Sequence, residues 1–364
     1  MFDLTSFGES MKHTVDFLII GQGIAGTILS YQLINKGFKV LVIDDQHQTS
    51  STLVAAGLIN PLVLKRLTKT WRAEEFIEFN DVFYSKLEND IKSTFVIDKK
   101  IIKLISSDDE REFWKKRSKV DGVCEFITDQ LEDLSIYPFF HKNRFEGGLV
   151  KKTGWVDTRI LLDSYRNYLI NKANLITETV DYDNLKVTDS DISYKNIIAK
   201  QVIFCDGFKS CKNHFFSWVP LSLVKGELLT IESDELSDDY IFNKKIFILP
   251  IGNQQYKVGA TYDWRDLSLL PTEIKKKELL KNLDELIDCN YTVIDHIAGI
   301  RPAVKDRRPL TGTHPVLKNI HLFNGMGSRG LFMAPKLGSE FVDYLTDNKN
   351  LNAEVDLKRY YSEF

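Results

Sequence analysis

Val15-Asp16-Phe17-Leu18-Ile19-Ile20-Gly21-Gln22-Gly23-Ile24-Ala25-Gly26 is the stretch whose reading decides the fold. Phe17 to Ile20 is an apolar run that predicts a strand, and Gly21, Gly23 and Gly26 predict a tight turn after it. Ile24, Ile28, Leu29 and Leu33 then recur at helical spacing up to Lys36, where Gly37 ends the helix. Val40 to Ile43 forms a second apolar strand that closes on Asp44, a carboxylate about 20 residues beyond the glycines, as a dinucleotide-binding turn requires. Gly21 permits the sharp turn, Gly23 lets backbone approach a pyrophosphate, and Gly26 lets helix and strand pack closely. Unpaired N–H groups and the positive dipole end at the helix start favour phosphate, and Asp44 is placed to accept from a ribose diol.

With 364 residues, two domains are expected. A hydrophobic content of 43% with 27% charged residues belongs to a soluble globular protein. The formal net charge of −3 gives no bulk attraction to nucleic acid or anionic membrane. Cys124, Cys205, Cys211 and Cys289 show no metal-ligand spacing, so buried reduced thiols in a cytoplasmic protein are expected. Met1 to Ser10 carries acids and no apolar core, which argues against a secretory signal, and Met11 is an alternative start. No stretch is long enough to predict a membrane span.

Beyond Asp44, a hydroxyl-rich loop through Gln48, Thr49, Ser50, Ser51 and Thr52 leads into Ala55-Ala56-Gly57-Leu58. Lys65, Lys69 and Arg72 share a face at helical spacing, with Arg66 nearby; a solvated basic face and a phosphate contact both fit. From Glu74 to Phe145 the strand–helix alternation disappears, which suggests an inserted second domain. It returns at Gly154-Trp155-Val156-Asp157, with Asp157 as the cap of a helix from Thr158 to Lys172. Leu175 to Val180 and Val202 to Cys205 read as strands, the latter running into Gly207. Leu223 to Ala298 alternates strands with one amphipathic helix, Thr272 to Asp288, which points to an antiparallel sheet.

The alternation resumes at Ile320 to Phe323, followed by Gly325-Met326-Gly327-Ser328-Arg329-Gly330-Leu331 and a closing helix in which Pro335 is acceptable near the first turn. A second glycine turn into a helix distinguishes a flavin enzyme from a nicotinamide enzyme, because a helix N-terminus stabilises negative charge on reduced flavin. A plain helix cap is the alternative. Arg301 follows a strand at a domain junction and suits either a substrate carboxylate or an inter-domain ion pair. The seven histidines form no H-x-x-x-H, and no G-x-S-x-G occurs, so neither a metal centre nor a serine nucleophile is expected.

With these residues in view, the chain resembles the D-amino-acid-oxidase-like family of FAD-dependent oxidoreductases, in its glycine oxidase and sarcosine oxidase branch. The motifs run in the family's order from about Asp16 to Leu345: the first glycine turn with Asp44, Ser51-Thr52, Ala55-Ala56-Gly57, Gly154-x-Val156-Asp157, Val202 to Gly207, Lys225-Gly226, Leu249-Pro250 with Gly259 to Tyr262, Gly299 to Pro302 with Asp306, and Gly325 to Gly330 with Ala334-Pro335. The resemblance implies an α/β fold. A discontinuous Rossmann-like FAD domain (12–73, 146–215, 299–364) would carry an α+β substrate domain on an antiparallel sheet (74–145, 216–298).

It further implies that Gly21, Gly23, Ile24, Ala25, Gly26, Asp44, Asp45, Ser51, Thr52, Ala56, Gly57, Leu58, Val180, Gly207 and the loop Gly325, Met326, Gly327, Ser328, Arg329, Gly330, Leu331 hold FAD. Arg301 would hold a substrate carboxylate, with Tyr262 and Phe247 above the flavin. Members with covalent flavin carry a cysteine near the position of Arg301; none stands here, which implies non-covalent FAD. Glycine oxidases tend to have tyrosine where Phe247 stands. The last glycine loop and Tyr262 look closer to the FAD domain of the bifunctional tRNA wobble-uridine modification enzyme, which removes a carboxymethyl group from a secondary amine.

The expected chemistry is oxidation of an amino acid or N-substituted glycine by hydride transfer to flavin N5, giving an imine that water hydrolyses. The alternatives are a modified tRNA nucleoside as substrate, with Lys65, Arg66, Lys69 and Arg72 as a basic rim, and a flavoprotein without turnover that serves as a binding partner.

Overall fold

β1 (His13–Ile20) and β2 (Val40–Asp44) pair in parallel, Phe17 opposite Val40 and Ile20 opposite Ile43, with α1 (Ile24–Asn35) as the crossover. The computed structural model describes residues 13–47, 50–141 and 145–364. The expectations for Met1 to Ser10 and for Met11, and Gln48 and Thr49 of the hydroxyl-rich loop, lie outside the described residues.

The described residues fall into two compact units. The first comprises the chain up to Leu53, Leu162–Leu223 and Arg301–Phe364. Its parallel strands run in the order β3 (Leu175–Thr177), β2, β1, β4 (Ile197–Phe204), β5 (Ile320–Asn324). Apolar side chains are buried on both faces of the central strands, as a parallel sheet between helices demands. α1 packs against α2 (Gly330–Asp347) so closely that a Cβ on Gly338 would stand 2.7 Å from Gln32 Oε1. Pro335 sits in the second turn of α2 rather than the first, and its carbonyl accepts from Gln32 Nε2 at 2.8 Å. Asp157 caps its helix as expected, accepting from the N–H groups of Arg159 and Ile160 at 3.0 Å each.

The second unit comprises Val54–Leu161 and Val224–Ile300. Its eight-stranded sheet runs Thr292–Val304, Leu221–Glu232, Gln255–Gly259, Phe247–Gly252, Ile241–Asn243, Ile101–Ile105, Glu146–Val150, Ile127–Asp133. Among the pairings with a described register it is antiparallel except between Ile241–Asn243 and Ile101–Ile105, which come from the two separate excursions of the chain. One face packs on the helix Glu273–Asp284 through Leu279 and Leu283. The other buries Phe247, Leu249 and Leu228 with Trp114, Trp155 and Leu62.

Residues 54–73 and 146–161, expected with the first unit, group with the second. The reason is pairing between segments distant in the chain: Gly154–Val156 takes Leu58–Ile59 on one side and Val96–Asp98 on the other. Lys65 and Lys69 do not share a helical face, because Leu62–Val63 and Thr68–Lys69 form a hairpin.

Candidate functional site

The glycines of the first turn divide into two kinds. Gly21 has φ +99, and a Cβ there would meet Cys205 O at 2.6 Å. A Cβ on Gly26 would meet Gly21 O at 1.8 Å. These two are demanded by the chain itself. Gly23 is different: its nearest neighbours would be Thr52 Oγ1 at 3.4 Å and Ser50 Oγ at 3.8 Å, ordinary contacts. No contact within the described chain requires bare backbone at Gly23.

Other features of the turn fit a phosphate. Gly23 is the N-cap of α1 with no side-chain cap, and the first turn holds no acid. Ile24 N–H donates to Thr52 Oγ1 at 3.0 Å. Ser50 Oγ is buried with no partner, an orphan donor beside that backbone. Ser50 is thus a candidate ligand residue alongside Ser51 and Thr52 of the short helix Ser51–Val54, in which Thr52 is buried. Its signal in the sequence was membership of the hydroxyl run.

Asp44 is more committed than its place in the sequence suggests. Oδ2 accepts Gln22 N–H at 2.9 Å, and Oδ1 accepts His47 N–H at 3.0 Å and Arg166 Nη1 at 3.1 Å. Arg166 also donates to Gln22 Oε1 at 3.1 Å and Thr177 Oγ1 at 2.6 Å. Oδ2 keeps a lone pair for a ribose hydroxyl, while Arg166 offsets the charge that would repel a pyrophosphate. Sequence reading missed Arg166, although an arginine on the helix face that carries Leu162, Tyr165 and Leu169 is a usable signal. Asp45 pairs with Lys209.

The structure brings the second glycine turn to the first. A Cβ on Gly330 would lie 3.0 Å from Ile24 Cγ2, so the N-termini of α2 and α1 converge. Asn324 organises the approach: Nδ2 donates to Gly207 O and Ser210 Oγ at 2.7 Å each, and Oδ1 accepts Gly325 N–H at 2.8 Å. Gly207, Gly325 and Gly327 all have positive φ, and Gly327 N–H donates to Pro302 O at 2.9 Å, tying the loop to the residue after Arg301. Met326 and Leu331 are buried, Arg329 and Arg301 half-buried, Ser328 exposed. Val180 lies past the end of β3 and packs on the core of this unit. Half-buried Asp206, beside Gly207, accepts from Tyr182 Oη at 3.0 Å and from Ser210, and desolvation pushes its carboxyl up.

Ala56, Gly57, Leu58, Phe247 and Tyr262 belong to the second unit. Gly57 has φ +81 and its Cβ would meet Val156 O at 2.0 Å, so strand pairing alone requires glycine there. Buried Phe247 lies opposite Gly259. Tyr262 is 50% exposed and stacks on Trp264 with 6.2 Å between ring centroids. Behind that segment, wholly buried Lys225 donates to Asp266 Oδ2 at 2.6 Å, Ser268 Oγ at 3.0 Å and Leu270 O at 2.5 Å. Lys225 also lies 3.4 Å from Glu227 Oε1, and Glu227 accepts from Thr272 N–H at 2.9 Å.

Lys257 also went unnoticed in the sequence. The register puts it on the sheet face that carries Phe247, its Nζ donates to Ala55 O at 3.4 Å, and burial pushes its ammonium pKa down. A lysine at an inward position of an alternating strand is the signal. The four basic residues divide: Lys69 pairs with Glu74 at 2.5 Å and Arg72 with Glu75 at 2.6 Å, while Lys65 and Arg66 are exposed at the hairpin turn. All four cysteines are free, but only Cys205 is buried; Cys124 and Cys211 are exposed, contrary to expectation. Among the described residues no cluster of His, Cys, Asp and Glu could hold a metal ion, and no helix is long and apolar enough to cross a membrane.

The family model for FAD-dependent oxidoreductases matches residues 16–344. The chain is similar to glycine oxidase from Bacillus licheniformis, 23% identical over 93% of this chain and 95% of that protein. It is also similar to the bifunctional tRNA 5-methylaminomethyl-2-thiouridine biosynthesis protein of Legionella pneumophila strain Lens, 25% identical over 82% of this chain but 45% of that protein's length. The solved glycine oxidase from Bacillus cereus ATCC 14579 superposes with TM-score 0.77 at 18% identity, covering 92% of this chain and 96% of that one. Iminodiacetate oxidase from Chelativorans sp. BNC1 gives 0.74 at 21%, covering 94% and 98%. At such identities these structures speak for the fold.

Proposed function

Since the chain belongs to the FAD-dependent oxidoreductase family, whose model spans residues 16–344, we propose that this enzyme oxidises the C–N bond of an amino acid or N-substituted glycine. The observation that carries the cofactor half of this reading is the convergence of two helix N-termini, at Ile24 and Gly330, over glycine turns whose Gly23 the chain itself does not require. In this reading the turn at Gly21, Gly23 and Gly26, with Ser50, Thr52 and Asp44, holds the ADP half of FAD, and the loop Gly325 to Leu331 faces the flavin. The first unit is then the FAD domain and the second the substrate domain.

Bound FAD supplies a two-electron acceptor for the hydride on the carbon beside the amine. The chain's own part is positioning. Arg301 fixes the substrate carboxylate with a charge-assisted pair, and Phe247 and Tyr262 bound the space around the reacting carbon. A substrate amine that arrives deprotonated needs no protein base, and water hydrolyses the resulting imine. The similarity to glycine oxidase and iminodiacetate oxidase supports a small amino acid or N-substituted glycine.

A second reading takes a carboxymethylated wobble uridine in tRNA as substrate. It is favoured by the exposed Tyr262–Trp264 stack, a platform for a planar base, and by the tRNA-modifying relatives. Reconstitution with FAD followed by anaerobic mixing separates the two. Bleaching of flavin absorbance by glycine, sarcosine, iminodiacetate or another small amine supports the first reading. Bleaching by modified tRNA alone overturns it, and bleaching by neither leaves a flavoprotein that binds without turnover.

A further inference from the structure

His47 stands three residues beyond the acid of the dinucleotide turn. It is 5% exposed, yet neither Nδ1 nor Nε2 has a hydrogen-bond partner. Nδ1 lies 3.3 Å from Asp44 Oδ1, within reach of an ion pair but off hydrogen-bond geometry, while the main-chain N–H of His47 already donates to that oxygen at 3.0 Å. The charged groups that face the ring are Asp44, Arg166, Asp163 and Asp45. Arg166 is spent on Asp44, Gln22 and Thr177, and Asp45 on Lys209, so neither completes the imidazole.

We propose that His47 is a cofactor-binding residue whose imidazole hydrogen-bonds the nucleoside half of FAD beside Asp44, and whose charge state sets how tightly FAD is held. The inference rests on FAD as the resident cofactor. A neutral imidazole offers one N–H and one lone pair, and Asp44 offers lone pairs alone. A ribose hydroxyl or the adenine edge supplies both a donor and an acceptor, the complement that the buried ring lacks. Leaving both nitrogens bare is costly in a buried site, so the empty ring fits a group from outside the chain.

Protonation reverses the preference. An imidazolium is a double donor, and its nearest acceptor is Asp44. Pairing with it consumes the carboxylate that the ribose would otherwise use. Proton and nucleoside therefore compete at one pair of residues. Burial pushes the imidazole below its ordinary value, with Asp44 opposing and Arg166 adding to the effect, so the ligand-ready neutral form prevails near neutral pH.

The test is FAD release from the holoprotein, followed by flavin fluorescence on dilution. The Kd of the wild type should be constant above the ordinary imidazole range and rise as pH falls below it, by up to about tenfold per pH unit once the unliganded ring is protonated, as linkage to one titrating group requires. His47→Gln keeps a donor and an acceptor but no titration; it should bind FAD within about threefold of wild type at about pH 7.5, with a flat profile. His47→Phe should bind about tenfold more weakly, also with a flat profile. Bound directly to the apoprotein, ADP should show the wild-type pH slope and riboflavin 5′-phosphate should not, which locates the effect at the nucleoside half. A wild-type slope that survives in His47→Gln, or a His47→Phe protein that holds FAD as tightly as wild type, overturns the proposal. Should His47→Phe fail to fold, the His47→Gln slope decides alone. A wild-type chain that takes up no FAD at about pH 7.5 refutes the cofactor reading, and this inference falls with it.

Discussion

In the reading proposed above, the two units build their recognition surfaces in opposite ways. In the first, backbone does the work: glycine turns, uncapped helix N-termini and one acid, confined to two short stretches of chain. In the second, side chains do it: Phe247 and Lys257 on one hairpin of the sheet and Tyr262 just past its end, with Lys225 and Glu227 holding the segment that carries Tyr262. A backbone-built site tolerates almost no change in residue type. A side-chain-built site can change its ligand by single substitutions. That contrast explains why the cofactor is common to a family whose substrates differ.

The sharpest way to break this contrast is to substitute the glycines of the first turn. Gly26→Ala should cost about 4 kcal/mol or more and leave little folded protein, because its Cβ would stand 1.8 Å from Gly21 O, a backbone atom that cannot move aside. Gly23→Ala should leave stability unchanged or raise it by about 0.4–1 kcal/mol, since Gly23 has φ −68 and no close neighbours. Its FAD affinity should nevertheless fall by about 100-fold. Urea titration and flavin fluorescence on the two proteins measure both quantities. If Gly23→Ala binds FAD normally, the phosphate does not lie there.

In the second unit the matching experiment removes the buried cation. Lys225→Met leaves Glu227 and Asp266 without their lysine, and a buried charge stripped of its partner costs about 3–5 kcal/mol. FAD affinity should stay within about threefold of wild type, because Lys225 belongs to the other unit. A protein that loses FAD together with stability would erase the division of labour.

Arg301→Ala has a smaller effect, one that shows only in turnover. KM for carboxylate substrates should rise about tenfold or more while stability and FAD affinity hold, as expected when a charge-assisted pair to substrate is lost. Unchanged KM and kcat together would return Arg301 to a purely structural ion pair.

How much of this was legible in the sequence follows from the same contrast. Gly21, Gly23, Gly26 and Asp44 are close in the chain and obey fixed spacing, so the turn could be read residue by residue. So could the strand–helix–strand around it. Arg166 and Ser50 could not be placed: the arginine reaches Asp44 across 122 positions, and a serine in a run of hydroxyls looks like any other. Residues 54–73 and 146–161 group with the second unit through a three-strand pairing between segments distant in the chain, which local patterns do not reveal. The basic hairpin was misread for a local reason: Leu62 to Lys69 has a spacing that suits helix and hairpin alike, and only pairing across the turn tells them apart.

The smallest effect expected is a pH dependence confined to the second unit. Lys225 holds the Asp266 carboxyl down at about 2, chiefly by its hydrogen bond, with Ser268 contributing. A carboxylate depressed in the folded state adds stability that is complete above its unfolded value, near 3.8, and is lost as pH falls through about 2. The Asp266 side chain is 39% exposed, so solvent screening keeps the effect small. The urea midpoint of Asp266→Asn should therefore trail wild type by a constant margin at about pH 5 and above, and the margin should close between about pH 4 and about pH 2. The pH response proposed for His47 lies in the other unit and is read by a different measurement, so the two are separable in one protein: FAD release reports the first unit, and the acid limb of the urea midpoint reports the second. A margin that stays constant down to about pH 2 would mean that Lys225 is held by Glu227 alone, and that the segment bearing Tyr262 is anchored by hydrogen bonds to Ser268 and Leu270 rather than by charge.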